Sequence, residues 1–127
     1  MTRRGTAITV EDAVARVKEQ IRRRRLRTFL DELTSAGCRI EVPPAERDDY
    51  LNVYPPDAHE TGRLCSFNRS SARIMFETPH DVATTLGVGS RLESAGTKAA
   101  LYPDSDDVVD AALRLARHVL ATRRGRG

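Results

Sequence analysis

Arginine fills four consecutive positions in "IRRRRLR", residues 21 to 27, and Arg27 adds a fifth beyond Leu26. A guanidinium carries forked donors that match phosphate oxygens. The chemistry offered by Arg22, Arg23, Arg24, Arg25 and Arg27 is therefore phosphate recognition, as on a nucleic-acid backbone. The competing use is a solvated collar paired with carboxylates of this chain or of a second subunit, where each exposed pair contributes little. A membrane-surface helix is a weaker third use, because the neighbouring apolar residues are Val and Ile without Trp or Phe.

Charge along the chain is segregated more sharply than the net +3 indicates. Residues 1–27 hold nine Arg or Lys against three acids, a net of +6. Residues 28–113 hold seven against fifteen, −8, and residues 114–127 hold five against none, +5. The body is acidic and both ends are basic, so Arg123, Arg124 and Arg126 extend the footprint. Arginine outnumbers lysine 19 to 2. GC-rich codon usage also produces that excess, so the choice of Arg over Lys carries no functional weight.

Other chemistry-bearing residues fail their context. His59, His80 and His118 lie on separate elements with no HxxxH or HExxH spacing, which argues against a metal site. "ERDD", residues 46–49, forms an acidic loop region with Asp57 and Glu60. Two-metal nucleases also need a Lys on a neighbouring strand, whereas Glu93 and Lys98 lie across a hairpin turn, not in the usual strand pattern. "GVGS", residues 87–90, follows a helix instead of a strand, so it serves as a stop and turn, not a phosphate loop. The serines of "FNRSS" are turn formers. No enzyme class gains support and no cofactor is called for.

Composition bounds the rest. At 127 residues, 39% hydrophobic and 31% charged, the chain is one folded domain and too apolar for disorder. Three Tyr, three Phe and no Trp leave few platforms for stacking single-stranded bases. No apolar run approaches the ~20 residues that span a membrane. The opening "MTRRGTAITVEDAV" lacks a signal-type apolar segment, so a cytoplasmic location is expected. Cys38 and Cys65 sit in strands without CxxC spacing and read as small buried hydrophobes.

The elements that position these residues follow from periodicity. Thr9 caps a helix whose first turn holds Glu11 and Asp12 and which Gly37 stops. "CRIEV" alternates Cys38, Ile40 and Val42 against Arg39 and Glu41, which are expected to face solvent. "DYLNVY" is a second strand, and "RLCSF" and "ARIMFE" form a hairpin about "NRSS". "TPHDVATTLG", residues 78–87, reads as a short helix, and "RLES" and "KAALY" as a second hairpin. "PDSDDVVDAALRLARHVLATRR" closes the chain as a helix with the stripe Val108, Val109, Ala112, Leu115, Ala116, Val119 and Leu120. The expected fold is α+β: a mostly antiparallel sheet of hairpins packed by a long N-terminal and a C-terminal helix, with a short helix between strands. Within the domain, residues 1–8 read as a flexible tail, 9–36 as the basic helix, 38–122 as the body and 123–127 as a basic tail.

Hairpin strands that lead through a Lys-bearing strand into "SDDVVDAALRL" resemble, over residues 61–122, small α+β domains described as predicted transport protein C-terminal regions. The resemblance is one of element types and implies the fold alone.

One conflict stands out in the first helix. Val10, Val14, Val17 and Ile21 share one face, whereas Leu26, Phe29, Leu30 and Leu33 cluster on the opposite side. Arg22 to Arg25 span about 300° and form a collar between the two stripes. Either the chain breaks near the run, or a continuous helix of roughly 40 Å packs its halves on different things. The continuous version is preferred. It leaves Val10, Val14, Val17 and Ile21 to self-associate as a homodimer. The functional expectation is a non-enzymatic nucleic-acid-binding protein using the arginine run and the basic termini. The alternative is an interaction module whose N-terminal helix docks on a protein.

Overall fold

Three helices and seven strands make up the residues that the computed structural model describes, 6–43, 50–56, 62–76, 93–95 and 98–125. In chain order they are β1 (Thr6–Ala7), α1 (Val10–Val14), α2 (Gln20–Ser35), β2 (Arg39–Val42), β3 (Tyr50–Tyr54), β4 (Cys65–Asn68), β5 (Ile74–Phe76), β6 (Glu93–Ala95), β7 (Lys98–Leu101) and α3 (Asp106–Gly125). The strands form one antiparallel sheet in the order β1-β2-β3-β4-β5-β7-β6. This is the expected α+β fold.

Local signals set the element ends. Thr9 Oγ1 accepts the Asp12 N–H at 3.2 Å and caps α1. Gly37 closes α2 at φ +95°, with the Cys38 N–H returning to the Leu33 carbonyl at 3.0 Å. A Cβ at Gly37 would also meet the Pro56 ring at 3.0 Å, so any other residue is strained here by both φ and contact. In the β4–β5 turn, Asn68 Oδ1 accepts from the backbone N–H groups of Ser70 and Ser71 at 2.9 and 2.8 Å. Ser105 Oγ accepts the Val108 N–H at 3.3 Å and caps α3.

The core lies between one sheet face and the helices. Register carries Ile40, Val53, Cys65, Phe76 and Ala99 across one rung of that face and Leu51, Phe67, Ile74 and Leu101 across the next. All are buried against the α2 stripe Leu26, Phe29, Leu30 and Leu33 and the α3 stripe Val108, Val109, Ala112, Leu115 and Ala116. Phe29 meets Phe76 edge to face, ring centres 6.3 Å apart. Val119 and Leu120 are partly buried at the margin of this core.

Four expectations are corrected. The continuous N-terminal helix does not form: the chain breaks between α1 and α2, at residues 15–19. Here the Val17 N–H turns back to the Val14 carbonyl at 3.1 Å, and the Lys18 N–H reaches the Ser70 carbonyl at 3.3 Å. The break lets both apolar stripes enter one core. Val14 and Val17 are only 5% and 1% exposed within the single chain, Val10 packs at the edge, and Ile21, beyond the break, is left 53% exposed. The stripe assigned to self-association is therefore largely this protein's own core.

The second correction concerns residues 6–8. Thr6 and Ala7 pair with Val42 and Glu41, and the Ile8 N–H bonds the Ile40 carbonyl at 3.0 Å, so this part of the assumed tail is an edge strand. The third concerns the other sheet face, expected to be solvated around Arg39 and Glu41. Glu41 is 8% exposed, and Asn52 and Ser66 beside it are buried too. Arg39 Nε donates to Glu41 Oε2 at 3.2 Å, and Arg63 Nη1 donates to Asn52 Oδ1 at 3.3 Å. A buried polar face of this kind persists because its groups are partnered.

The basic tail also starts later than residue 123, since α3 runs to Gly125. The expected helix at 78–87, the acidic loop 46–49, Asp57, Glu60, His59 and His80 lie outside the described residues.

Replacing Val17 by Asp should unfold the domain. An unpaired charge in this core costs about 3 kcal/mol or more, and a loss of the cooperative thermal transition by circular dichroism checks it. Burial raises the thiol pKa of Cys38, with Arg39 opposing weakly. It raises Cys65 further, aided by the nearby Cys38. Folding therefore retains protons that an unfolded thiol releases. This stabilisation is complete below the ordinary thiol pKa of about 8.5 and is lost as pH rises above it. Both thiols should label slowly in the native state at neutral pH, with the rate following global unfolding.

Candidate nucleic-acid interface

Successive residues of α2 are about 100° apart, and the inward stripe Leu26, Phe29, Leu30 and Leu33 divides the arginine collar into two flanks. Arg22 and Arg25 fall toward α3. Gln20, Arg23, Arg24 and Arg27 fall toward α1. The two flanks differ in what the guanidiniums touch.

On the α3 flank the arginines are engaged. Arg22 Nε donates to Asp104 Oδ1 at 2.6 Å, and its guanidinium lies over the Tyr102 ring, 4.5 Å from the centroid. Arg25 Nε donates to Asp106 Oδ1 at 3.2 Å, in the first turn of α3. Asp104 and Asp106 are largely solvent-facing, so each pair contributes no more than about 1 kcal/mol. The stacking on Tyr102 adds a similar amount. These contacts staple α2 to the start of α3. The carboxylate-paired collar thus describes this flank.

On the α1 flank a cleft of about 390 Å³ opens between the two helices, lined by Glu11, Val14, Ala15, Gln20, Arg23, Arg24 and Arg27. Glu11 reaches across from α1 to pair with Arg27, which also lies 3.9 Å from Asp31. Arg23 is half-buried in the wall and Arg24 is exposed. Among the described residues neither makes an ion pair. Arg16 and Lys18 are exposed on the connector between the helices. The cleft therefore presents two uncommitted guanidiniums, a third held by an exposed acid, and the Gln20 side chain. Such a set can bind oxyanions and has no nucleophile–base pair.

Of the expected site residues, Arg23, Arg24 and Arg27 come together, while Arg22 and Arg25 are turned to the other flank. Arg123 and Arg124 lie in the last turns of α3, and Arg126 lies outside the described residues. Reading the sequence missed Glu11, Gln20 and Ala15 as walls, because the cleft exists only where the helix breaks. It also passed over Arg16 and Lys18, which flank Val17 within the first apolar stripe.

Among the described residues no three His, Cys, Asp or Glu side chains converge as a metal site requires, and no helix is long and apolar enough to cross a membrane. His118 is exposed on α3. No family model matches the chain, and no curated protein or solved structure matches it either.

Proposed function

We infer that the protein is a non-enzymatic nucleic-acid-binding accessory protein that grips the phosphate backbone with the α1 flank of α2. The observation that carries this reading is the pair of uncommitted guanidiniums, Arg23 and Arg24, beside a cleft on an otherwise ion-paired helix. Arg27, Arg16 and Lys18 extend the contact, and Arg123, Arg124 and Arg126 supply basic charge at the chain's other end. The −8 carried by residues 28–113 supports one-sided binding, because it repels nucleic acid from the rest of the surface. Two free, buried thiols support a reducing compartment, and the reading assigns the protein to the cytoplasm.

One observation favours a second reading. Among the described residues Ile21 is the exposed large hydrophobic, and it sits on the same helix between basic side chains. An acidic amphipathic segment of a partner protein would match that pattern.

Binding of a generic duplex should be salt-dependent. With about three to four phosphates contacted, the slope of log affinity against log salt is roughly −3. Replacing Arg23 and Arg24 together by Gln should reduce its magnitude by about one to two and weaken all sequences alike, because phosphate contacts do not read bases. Ile21→Ser should leave the slope unchanged. Fluorescence anisotropy over a salt series checks all three. Absence of binding at about 50 mM salt, or an unchanged slope in the double variant, transfers the role to the protein-docking reading. Ile21→Ser would then abolish capture of an acidic helical peptide.

A further inference from the structure

We propose that the cleft between α1 and α2 is the phosphate seat and that Glu11 is its built-in competitor, occupying Arg27 until a backbone phosphate displaces it. The proposal rests on the nucleic-acid reading above and adds a regulating residue to it.

A carboxylate on a guanidinium fork takes the donors that a phosphate would take. Glu11 does this across the cleft, from a different helix, at Arg27. Arg27 has a second acid at 3.9 Å, Asp31, one turn along its own helix. Glu11 is thus not needed to keep Arg27 in partnership. The pair is also open to water, with Arg27 52% and Glu11 67% exposed, so it is screened and exchangeable. The carboxylate is presented from a fixed position: Thr9 caps α1, Ala13 buries the opposite side of the helix, and the buried Val14 packs beside Glu11 in the cleft wall.

The start of α2 has one of its donors already taken. Glu19 caps it, its side chain accepting from the Ile21 N–H at 3.4 Å and its carbonyl from the Arg23 N–H at 2.9 Å. The side-chain donors of the seat are those of Arg23, Arg24, Arg27 and Gln20. The cleft volume lies within the ~300–1,000 Å³ of small-ligand sites, enough for a phosphate with part of its sugar. In the unliganded state Glu11 lowers the charge of the seat by one. A phosphate that enters meets three guanidiniums only after releasing this acid.

The test is a double-variant cycle on the full chain, with a fluorescent generic duplex at about 50 mM salt. Glu11→Gln keeps size and exposure and should tighten binding about fivefold, the effect of one unit charge at ~4 Å in water. It should also steepen the salt slope by about one, as Arg27, left only with the longer, solvent-screened contact to Asp31, turns to neutralise a phosphate. Arg27→Gln should weaken binding, and in that background Glu11→Gln should gain less than twofold. If Glu11→Gln gains as much without Arg27 as with it, or changes nothing while Arg23→Gln and Arg24→Gln weaken binding, the competitor role is overturned and the nucleic-acid reading stands. If neither wild type nor Glu11→Gln binds duplex, the nucleic-acid reading itself fails. Tripolyphosphate bound more tightly by Glu11→Gln without any duplex binding would identify a free-phosphate seat, overturning the backbone assignment.

Discussion

The N-terminal segment carries two apolar stripes that a straight helix would turn in opposite directions, and the domain has one core to bury them in. Burying the side chains of Val14, Val17, Leu26, Phe29, Leu30 and Leu33 is worth about 1.5–3 kcal/mol each. Breaking a helix between residues 15 and 19 sacrifices only a few backbone hydrogen bonds, each with a net value of about 1 kcal/mol. Some are recovered, since Val17 and Lys18 find carbonyl partners and Glu19 caps the next helix. Burial wins, and the break follows.

Much of the surface depends on that choice. Folding α1 back beside α2 creates the cleft and brings Glu11 against Arg27. Fixing the rotation of α2 by its lower stripe turns Arg22 and Arg25 toward Asp104 and Asp106 and leaves Arg23 and Arg24 outside. Four adjacent arginines of identical chemistry thus acquire two roles from geometry alone. One pair reinforces the packing of α2 on α3, and the other is free for an external anion. The collar is therefore carboxylate-paired at Arg22 and Arg25 and, among the described residues, without an ion pair at Arg23 and Arg24.

What was legible in the sequence was what short-range physics decides. Thr9 and Gly37 mark helix ends because capping and positive φ are local demands. The hairpin about Asn68 and the α3 stripe from Val108 to Ala116 follow from turn chemistry and from a 3.6-residue period. The break at 15–19 was not legible in this way, since no Pro or Gly marks it and each half reads as helix. Only the existence of one shared core decides it. The buried polar face was hidden for a related reason. Alternation shows that Arg39 and Glu41 share a side, but not that this side is covered. The arginine run of the candidate site was legible in residue type, and its division into flanks was not.

The division of the arginines is tested most directly by the side-chain Nε–H resonances of the α2 arginines, followed by NMR during addition of a generic duplex at low salt. The Nε–H groups of Arg22 and Arg25 should be protected from solvent exchange before addition and unmoved after it, because Asp104 and Asp106 hold them. Those of Arg23 and Arg24 should exchange rapidly in the free protein, then shift and gain protection on binding. If Arg22 and Arg25 shift with the others, or if Arg23 and Arg24 stay unmoved while duplex binds, the helix break does not partition the arginines into these two roles.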